Sequence, residues 1–134
     1  MANIEMVIDS VRFALINYQR AVILKEKDGD RYLTIWVNDA GANAIGAALQ
    51  KVYFREPYTW NLLGDITSKL RAVLKYVVIV ESKENTLQAK AFLEKEGIIE
   101  ISCTPSDALA GAVRAEAPIF VDEVILTKSG IMVG

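Results

Sequence analysis

The stretch AVILKEKDGDRYLTIWV, residues 21–37, decides the fold class. Two runs rich in β-branched and aromatic residues flank Asp28-Gly29, a dipeptide that tolerates the positive φ angles of a tight turn. This pattern predicts a β-hairpin. Asn38 or Asp39 can cap the segment that follows, so AGANAIGAALQKV is predicted to be a helix of very small residues.

A second hairpin and helix are predicted further along the chain. NTLQAKAFLEKEGIIEISC, residues 85–103, turns near Glu96-Gly97, and a second small-residue helix occupies residues 105–115. The two ββα halves, at 22–50 and 87–115, resemble each other, and a third helix lies between them. Because hairpins place antiparallel neighbours in a sheet, we predict an α+β fold with an antiparallel or mixed sheet.

The remaining segments complete this plan. Residues 4–16 partly alternate in polarity and predict strands, while KYVVIVES predicts a buried strand and PIFV a short one. The tail, residues 124–134, is apolar at its end and predicts an edge strand or an oligomer arm. The middle helix begins at Thr59 or Asn61 and carries an apolar face formed by Leu62, Leu63, Ile66, Leu70 and Val73. With 134 residues, the chain is expected to form one domain, 1–134.

Composition excludes several kinds of chemistry. The chain has no histidine, which rules out a Ser-His-Asp triad, a Cys-His pair and the usual zinc sites. A metal would have to be a hard cation on oxygen ligands, such as Mg²⁺, Mn²⁺ or Ca²⁺. Cys103 is the only cysteine, and the predicted helix after it would lower the thiol pKa, but no histidine base is present to support a nucleophile.

Charge and hydropathy limit the binding partners and the cellular location that can be expected for this chain. The net charge of −2 is not the basic balance of a protein that holds nucleic acid by its phosphates, although a local basic patch is conceivable from Arg12, Arg20, Lys25, Lys27 and Arg31. The longest strongly apolar run, residues 76–80, is far shorter than the roughly 20 residues that cross a bilayer. We therefore expect no membrane association and a cytoplasmic location.

Thr104-Pro105-Ser106-Asp107 fits a capping box. Thr104 is the predicted N-cap, Pro105 is the first helical residue, and Asp107 bonds back to the amide of the cap. A carboxylate at this position also meets the positive end of the helix dipole. Asp107 is thus either a structural cap or a ligand for a metal ion or substrate.

The same segment carries a resemblance to a known family. CTPSDALAGAVRAEAPIFV resembles the Pro-Ser-Asp-Ala helix and Pro-Ile-Phe-Val strand of the bifunctional nuclease domain family. GDRYLTIWVNDAGANAIGAALQ and REPYTWNLLGDITSKL resemble two further family blocks, so the likeness runs from about residue 4 to residue 126. The matching positions are Arg31, Leu33, Trp36, Ala44, Leu49, Gln50, Thr59, Leu62, Leu63, Pro105, Ser106, Asp107, Ala108, Arg114, Pro118 and Phe120.

This resemblance implies an α+β domain that self-associates and a nuclease activity on DNA and RNA. For this chain it implies Asp107 as a ligand of Mg²⁺ or Mn²⁺, with Ser106 and Thr59 as positioning groups and Arg31 or Arg114 as phosphate ligands. A homo-oligomer is expected, with a dimer as the default.

The chain departs from the family pattern at polar positions. Gly41 stands where the family usually carries a glutamate, and Trp60 and Asn61 replace its His-Asp pair. Metal-assisted phosphodiester hydrolysis usually needs two or more carboxylates, and the further candidates are Asp39, Asp65 and Glu100. Tyr58 and Trp60 could stack on a base or anchor the segment.

Two functions therefore stay open for this sequence. The first is a divalent-metal-dependent nuclease of weakened activity, and the second is a non-catalytic binding or assembly module that keeps the fold. Whether the chain is an enzyme depends on which acids lie beside Asp107.

Overall fold

The computed structural model describes residues 2–14, 19–37, 45, 49, 59–82, 84 and 86–132, with the backbone alone for residues 14, 59–63, 131 and 132. Within these residues the strands are β1 Asn3–Ala14, β2 Gln19–Glu26, β3 Arg31–Val37, β4 Val73–Glu81, β5 Leu87–Glu94, β6 Ile98–Cys103, β7 Ile119–Asp122 and β8 Ile131–Met132. The helices are α1 Thr59–Lys69, α2 Pro105–Ala115 and α3 Glu123–Ser129.

The described strands form one mixed sheet in the order β6-β5-β4-β7-β1-β2-β3-β8. Neighbouring strands are antiparallel except for β4 and β7, which are parallel. The predicted α+β class with a mixed sheet is confirmed. Each half is larger than predicted, because three antiparallel strands, β1–β2–β3 or β4–β5–β6, precede the helical segment.

The predicted hairpin at residues 21–37 is confirmed, but the reason for its glycine differs from the expectation. β2 and β3 pair from Arg20 opposite Val37 to Lys25 opposite Tyr32. Gly29 does not have a positive φ; among the described glycines only Gly97 has one, at 139°. A Cβ at Gly29 would instead collide with the Glu26 carboxylate, which folds across the turn. Lack of room for a side chain, rather than a positive φ angle, explains the glycine at this position.

The hydrophobic core lies on one face of the sheet, under α2 and α3. Strand residues such as Leu24, Ile35 and Ile79 are fully buried there against Leu109 of α2 and Ile125 of α3. Small residues let α2 approach the strands, since Ala108, Ala110 and Ala112 are buried against them, whereas a Cβ on Gly111 would make only an ordinary contact, 3.7 Å from Leu74 Cδ2. Close helix–sheet packing thus accounts for the buried alanines of this helix but does not require its glycine.

The first small-residue helix and the middle helix are described in part. Ile45 and Leu49 are helical, and Ile45 is fully buried in the core, whereas the rest of the predicted helix 39–50 lies outside the described residues. α1 begins at Thr59, as predicted. Its apolar face is not buried where it is described, because Ile66 is 45% and Leu70 55% exposed.

The tail combines a confirmed and an unforeseen element. Ile131–Met132 forms the short edge strand β8, which pairs with Arg31 and Tyr32 of β3. Before it, α3 begins at the cap Asp122, whose Oδ1 accepts a hydrogen bond from Val124 N at 3.1 Å. The sequence analysis left this helix unassigned.

The sheet face opposite the core is named the open face. Its residues alternate with the core residues, so Tyr76 and Val78 lie on it while the neighbouring Val77 and Ile79 are buried in the core. Strand registers place five aromatic residues on the open face: Tyr32, Trp36, Tyr76, Phe92 and Phe120.

Candidate functional site

The N-terminus of α2 has half of the predicted capping box. Thr104 is the N-cap, and its Oγ1 accepts a hydrogen bond from Asp107 N at 3.3 Å. Within the described residues, the Asp107 carboxylate makes no reciprocal bond to the Thr104 amide, contrary to prediction. The carboxylate is therefore exposed to solvent in the first turn of the helix, where the helix dipole favours negative charge.

Cys103 lies beside this helix start, but its environment does not activate it. Burial raises the pKa of the Cys103 thiol above its ordinary value of 9.0, and the negative charge of Asp107 raises it further. The expected lowering by the helix N-terminus is thus wrong. A protonated thiol is a poor nucleophile, so Cys103 is not a reactive group in this arrangement.

Of the other residues predicted to act with Asp107, the fold places only some close to it. Ser106 is half-buried, with its hydroxyl 3.5 Å from Thr104 Oγ1. Arg114 lies seven residues further along α2, about 10 Å along the axis. Its Nε is 3.6 Å from the point that a Cβ on Gly64 of α1 would occupy. Arg114 thus lies at the other end of α2 from Asp107, where this helix meets α1.

Arg31, a predicted phosphate ligand, is held in an ion pair at the hairpin turn. Its Nε donates to Glu26 Oε1 at 2.9 Å, its Nη2 lies 2.6 Å from the same oxygen, and its amide donates to Glu26 Oε2 at 3.2 Å. The hydrogen bonds from Arg31 outweigh burial and hold the pKa of Glu26 below its ordinary value of 4.5. The guanidinium of Arg31 therefore stabilises the turn, and Glu123 of α3 lies 4.0 Å from it.

The further candidate acids do not gather at Asp107 in the described structure. Asp65 is exposed on α1. Glu100 lies on the open face, where its carboxylate is 3.7 Å from Lys90 Nζ. Within the residues described, no three His, Cys, Asp or Glu side chains form a group that could hold a metal ion. The described donors thus do not fit a magnesium or manganese centre.

The side chains of four predicted positions lie outside the described structure. Asp39 and Tyr58 lie outside the described residues, and only the backbone is described for Thr59 and Trp60, in the first turn of α1. The predicted roles of these side chains in positioning and stacking stay predictions.

The open face contains a contiguous group of aromatic rings that the sequence analysis missed. Tyr76 stacks on Phe92, with ring centroids 4.7 Å apart and planes at 19°, and meets Phe120 edge-on at 5.6 Å. All three residues are partly buried and partly exposed. Period-two alternation could have placed these residues on one face, but their strand order was needed to bring them together.

Positive side chains accompany these rings on the open face. Lys25 lies between Val7 and Tyr32 in the strand register, and its Nζ donates to the backbone carbonyls of Glu26 and Gly29 at 3.1 and 2.7 Å. Arg12 lies opposite Ala21, and its Nε donates to the Ser10 hydroxyl at 3.1 Å. These acceptors are neutral, and among the described residues neither side chain forms an ion pair, although the Ser10 hydroxyl itself donates to Asp9 Oδ2 at 3.2 Å.

The open-face lysines close to carboxylates have a different environment. Lys90 lies 3.7 Å from Glu100, Lys27 3.3 Å from Glu5, and Lys75 3.6 Å from Glu94. Each pair is exposed and balances its own charge. The open face is thus aromatic, nearly neutral and slightly positive at Arg12 and Lys25.

Taken together, the fold and the α2 segment define an α+β domain built on one mixed sheet, with a Thr-Pro-Ser-Asp helix start. The sequence profile of the family described as "Bifunctional nuclease domain" matches residues 22–134. The chain belongs to the bifunctional nuclease domain family.

Individual relatives support this assignment and limit what it implies. An uncharacterized protein of Mycobacterium tuberculosis is 36% identical over 115 residues, 86% of this chain and 69% of the relative. Proteins named Bifunctional nuclease 1 are 29% identical in Oryza sativa subsp. indica and 26% in Arabidopsis thaliana, each over 118 residues. This chain spans only 36% of the length of those plant proteins. No helix in the described part of the chain is long and apolar enough to cross a membrane.

Proposed function

We propose that this chain binds single-stranded nucleic acid on its open face without cleaving it. The observation that carries the proposal is the group of partly exposed rings in which the Tyr76 centroid lies 4.7 Å from that of Phe92 and 5.6 Å from that of Phe120. Aromatic rings presented by a sheet are a common platform for unpaired bases, because every base has a π-face on which to stack.

The position of these rings suits an extended ligand. They occupy β5, β4 and β7, and Val7, Lys25 and Tyr32 continue the same face across β1, β2 and β3. Bases would stack on the rings, each contributing about 1–3 kcal/mol. The phosphates would lie near Lys25 and Arg12, whose hydrogen bonds are to neutral acceptors.

The charge of the chain limits the strength of this binding. The net charge is −2, and three lysines are already paired with glutamates. Few positive side chains therefore remain to neutralise phosphates and release their counterions. We expect a dissociation constant in the micromolar range, about 10⁻⁶–10⁻⁴ M, and a shallow salt dependence. Unpaired strands should bind better than duplex, whose bases are not free to stack on protein rings.

Metal-dependent hydrolysis of DNA or RNA is the second candidate function. It is favoured by the exposed carboxylate of Asp107, which the half-formed capping box leaves without a bond to Thr104, and by the names of the plant relatives. In that function Asp107 would ligate Mg²⁺ or Mn²⁺, Ser106 and Thr59 would position the substrate, and Arg114 would hold phosphate. The described donors do not complete such a centre, which places this function second.

Self-association is part of the proposal. A binding module that forms a homodimer would present two copies of the open face to one strand, which raises the effective affinity without a new contact. We also propose a cytoplasmic location, in line with the expectation from the sequence.

Fluorescence anisotropy with a labelled single strand tests the first function. We expect Phe92→Ala to weaken binding about fivefold or more, because it removes one stacking ring. Phe13→Ala is the matched control, since Phe13 is a 47% exposed aromatic residue on the other face of the sheet. Equal affinity for wild type and Phe92→Ala, with both folded by circular dichroism, would refute binding on the open face.

A cleavage assay with Mg²⁺, Mn²⁺ and EDTA arms separates the second function from the first. Asp107→Asn is compared with Asp28→Asn, an exposed carboxylate in the β2–β3 turn. The first function predicts intact DNA and RNA in every arm. Cleavage that needs metal and is lost only in Asp107→Asn would establish the second function instead.

A further inference from the structure

Strand β6 is an unprotected edge of the sheet. It pairs with β5 and, within the part of the chain that the structure describes, with no other strand. Residues 98–102 are all exposed, including three isoleucines: Ile98 at 57%, Ile99 at 47% and Ile101 at 47%. Three large apolar side chains in one short edge strand thus remain in contact with water.

Such an edge normally carries protection that β6 lacks. Every second residue of an edge strand directs its N–H and C=O groups away from the sheet, where another strand can bind them. Charged side chains, above all lysine, usually block this pairing, as do proline and bulges. The strand sequence IIEISC contains no lysine or proline, its pairing with β5 is regular, and its one charged residue, Glu100, is balanced by Lys90 at 3.7 Å. At the other end of the sheet, the two-residue strand β8 covers part of β3.

We propose that β6 pairs with β6 of a second copy of this chain, antiparallel around a two-fold axis at Ile101. In this register Ile101 faces the second copy's Ile101, and Ile99 faces the second copy's Cys103. Glu100, the only charged residue of the strand, faces the second copy's Ser102, and Lys90 balances its charge at 3.7 Å. Pairing centred on Glu100 would oppose two carboxylates, which disfavours that alternative.

The chemistry of β6 selects a second copy as the occupant. The core-side face of the strand is apolar, formed by Ile99, Ile101 and Cys103, whereas its open-face side carries one balanced charge. The strand meets no like charge when paired with itself in this register. A two-fold axis makes every favourable contact occur twice, as in most homodimers. An axis perpendicular to the sheet also places both open faces on the same side of the dimer.

The inference rests on the proposed self-association, for which it names the surface, and is independent of nucleic-acid binding. Its first test is light scattering after size exclusion over a range of protein concentrations. We expect a dimer whose dissociation constant rises about tenfold or more in Ile101→Lys, because two lysines then meet at the axis. Ile66→Lys, at a residue that is 45% exposed on α1, is the control and should leave the dimer unchanged.

Two outcomes of this test would overturn the inference. A wild-type monomer at every concentration would refute self-association itself. A dimer that Ile101→Lys leaves intact would keep self-association and refute β6 as its surface. Nucleic-acid binding by the wild type is measured separately, so its failure is distinguishable from both.

Disulfide trapping tests the register without adding charge. In a Cys103→Ser background, Ile101→Cys should form a covalent dimer under a mild oxidant, because its two copies meet at the axis within the reach of a disulfide. Ile66→Cys in the same background should stay monomeric on a non-reducing gel. Equal cross-linking of the two variants would contradict the proposed pairing.

Discussion

Arg31 and Glu26 hold the β2–β3 turn from opposite ends, with Arg31 Nη2 2.6 Å from Glu26 Oε1 and the Arg31 amide 3.2 Å from Oε2. Glu26 is the buried charged residue of the described structure, at 8% exposure. The sequence analysis expected Arg31 to bind phosphate and Gly29 to supply a positive φ. One ion pair accounts for both residues, because the carboxylate engages Arg31 and occupies the space beside Gly29.

The first prediction concerns the contribution of this pair to stability. Glu26→Gln should lower the free energy of unfolding by about 2 kcal/mol, since it weakens the charge-assisted hydrogen bonds that the buried Glu26 carboxylate accepts from Arg31. Chemical denaturation measures this change. The control is Glu94→Gln, which removes an exposed pair with Lys75 and should cost no more than about 0.5 kcal/mol. Equal effects would contradict the structural role of Glu26.

The pKa of Glu26 gives a pH dependence of known sign. Its pKa is below 4.5 in the folded chain, chiefly because of the Arg31 hydrogen bond, so the unfolded chain binds more protons in this range. The stabilisation is present above pH 4.5 and is lost as the pH falls through the folded pKa. Thermal melts between neutral pH and pH 3 should show a smaller acid destabilisation for Glu26→Gln than for wild type. Parallel melting curves would refute this assignment.

Gly29 and Glu26 should be energetically coupled. Gly29→Ala should destabilise the chain by about 1–2 kcal/mol, because the new methyl group displaces the Glu26 carboxylate from Arg31. In a Glu26→Ala background the same substitution should cost much less. A double-mutant cycle with a coupling energy of at least about 0.5 kcal/mol is expected. Additive effects would indicate that the backbone, not the carboxylate, requires glycine at this position.

Cys103 should react slowly with alkylating reagents. Burial and the charge of Asp107 keep its thiol pKa above 9.0, so little thiolate is present at pH 8. Asp107→Asn should lower the pKa and speed alkylation by iodoacetamide about two- to fivefold, because it removes the nearby negative charge. Asp65→Asn is the control and should have no effect. A pH–rate profile with an unchanged midpoint in Asp107→Asn would contradict the proximity of the two groups.

Local patterns in the sequence predicted most of the strands and helices. The hairpins at 21–37 and 85–103, the cap at Thr104 and the strand after Pro118 were all predicted because their signals depend on adjacent residues. α3 was missed, since its seven residues follow a strand directly and are too few to show a helical period. Pairing of β7 between β4 and β1 could not be predicted either, because strand order depends on contacts that are distant in the sequence.

For the candidate site too, the sequence predicted single residues but not the contacts between them. The resemblance identified Asp107 and Arg31, but it could not tell that Arg31 is bound to Glu26 five residues earlier. Tyr76, Phe92 and Phe120 come from three strands, and only the sheet order brings the other two rings within 6 Å of Tyr76. Sequence patterns therefore indicate which residues carry chemistry, whereas the fold decides which of them act together.

Ultraviolet cross-linking of a single strand to the folded protein, followed by mass spectrometry of the peptides, tests the central claim most directly. Rings that stack on bases form zero-length adducts, so the account predicts cross-links at Tyr76, Phe92 or Phe120. These adducts should disappear when unlabelled single strand is added in excess. Adducts confined to the Thr104–Asp107 segment, or none at a protein concentration that saturates binding, would contradict nucleic-acid recognition by the open face.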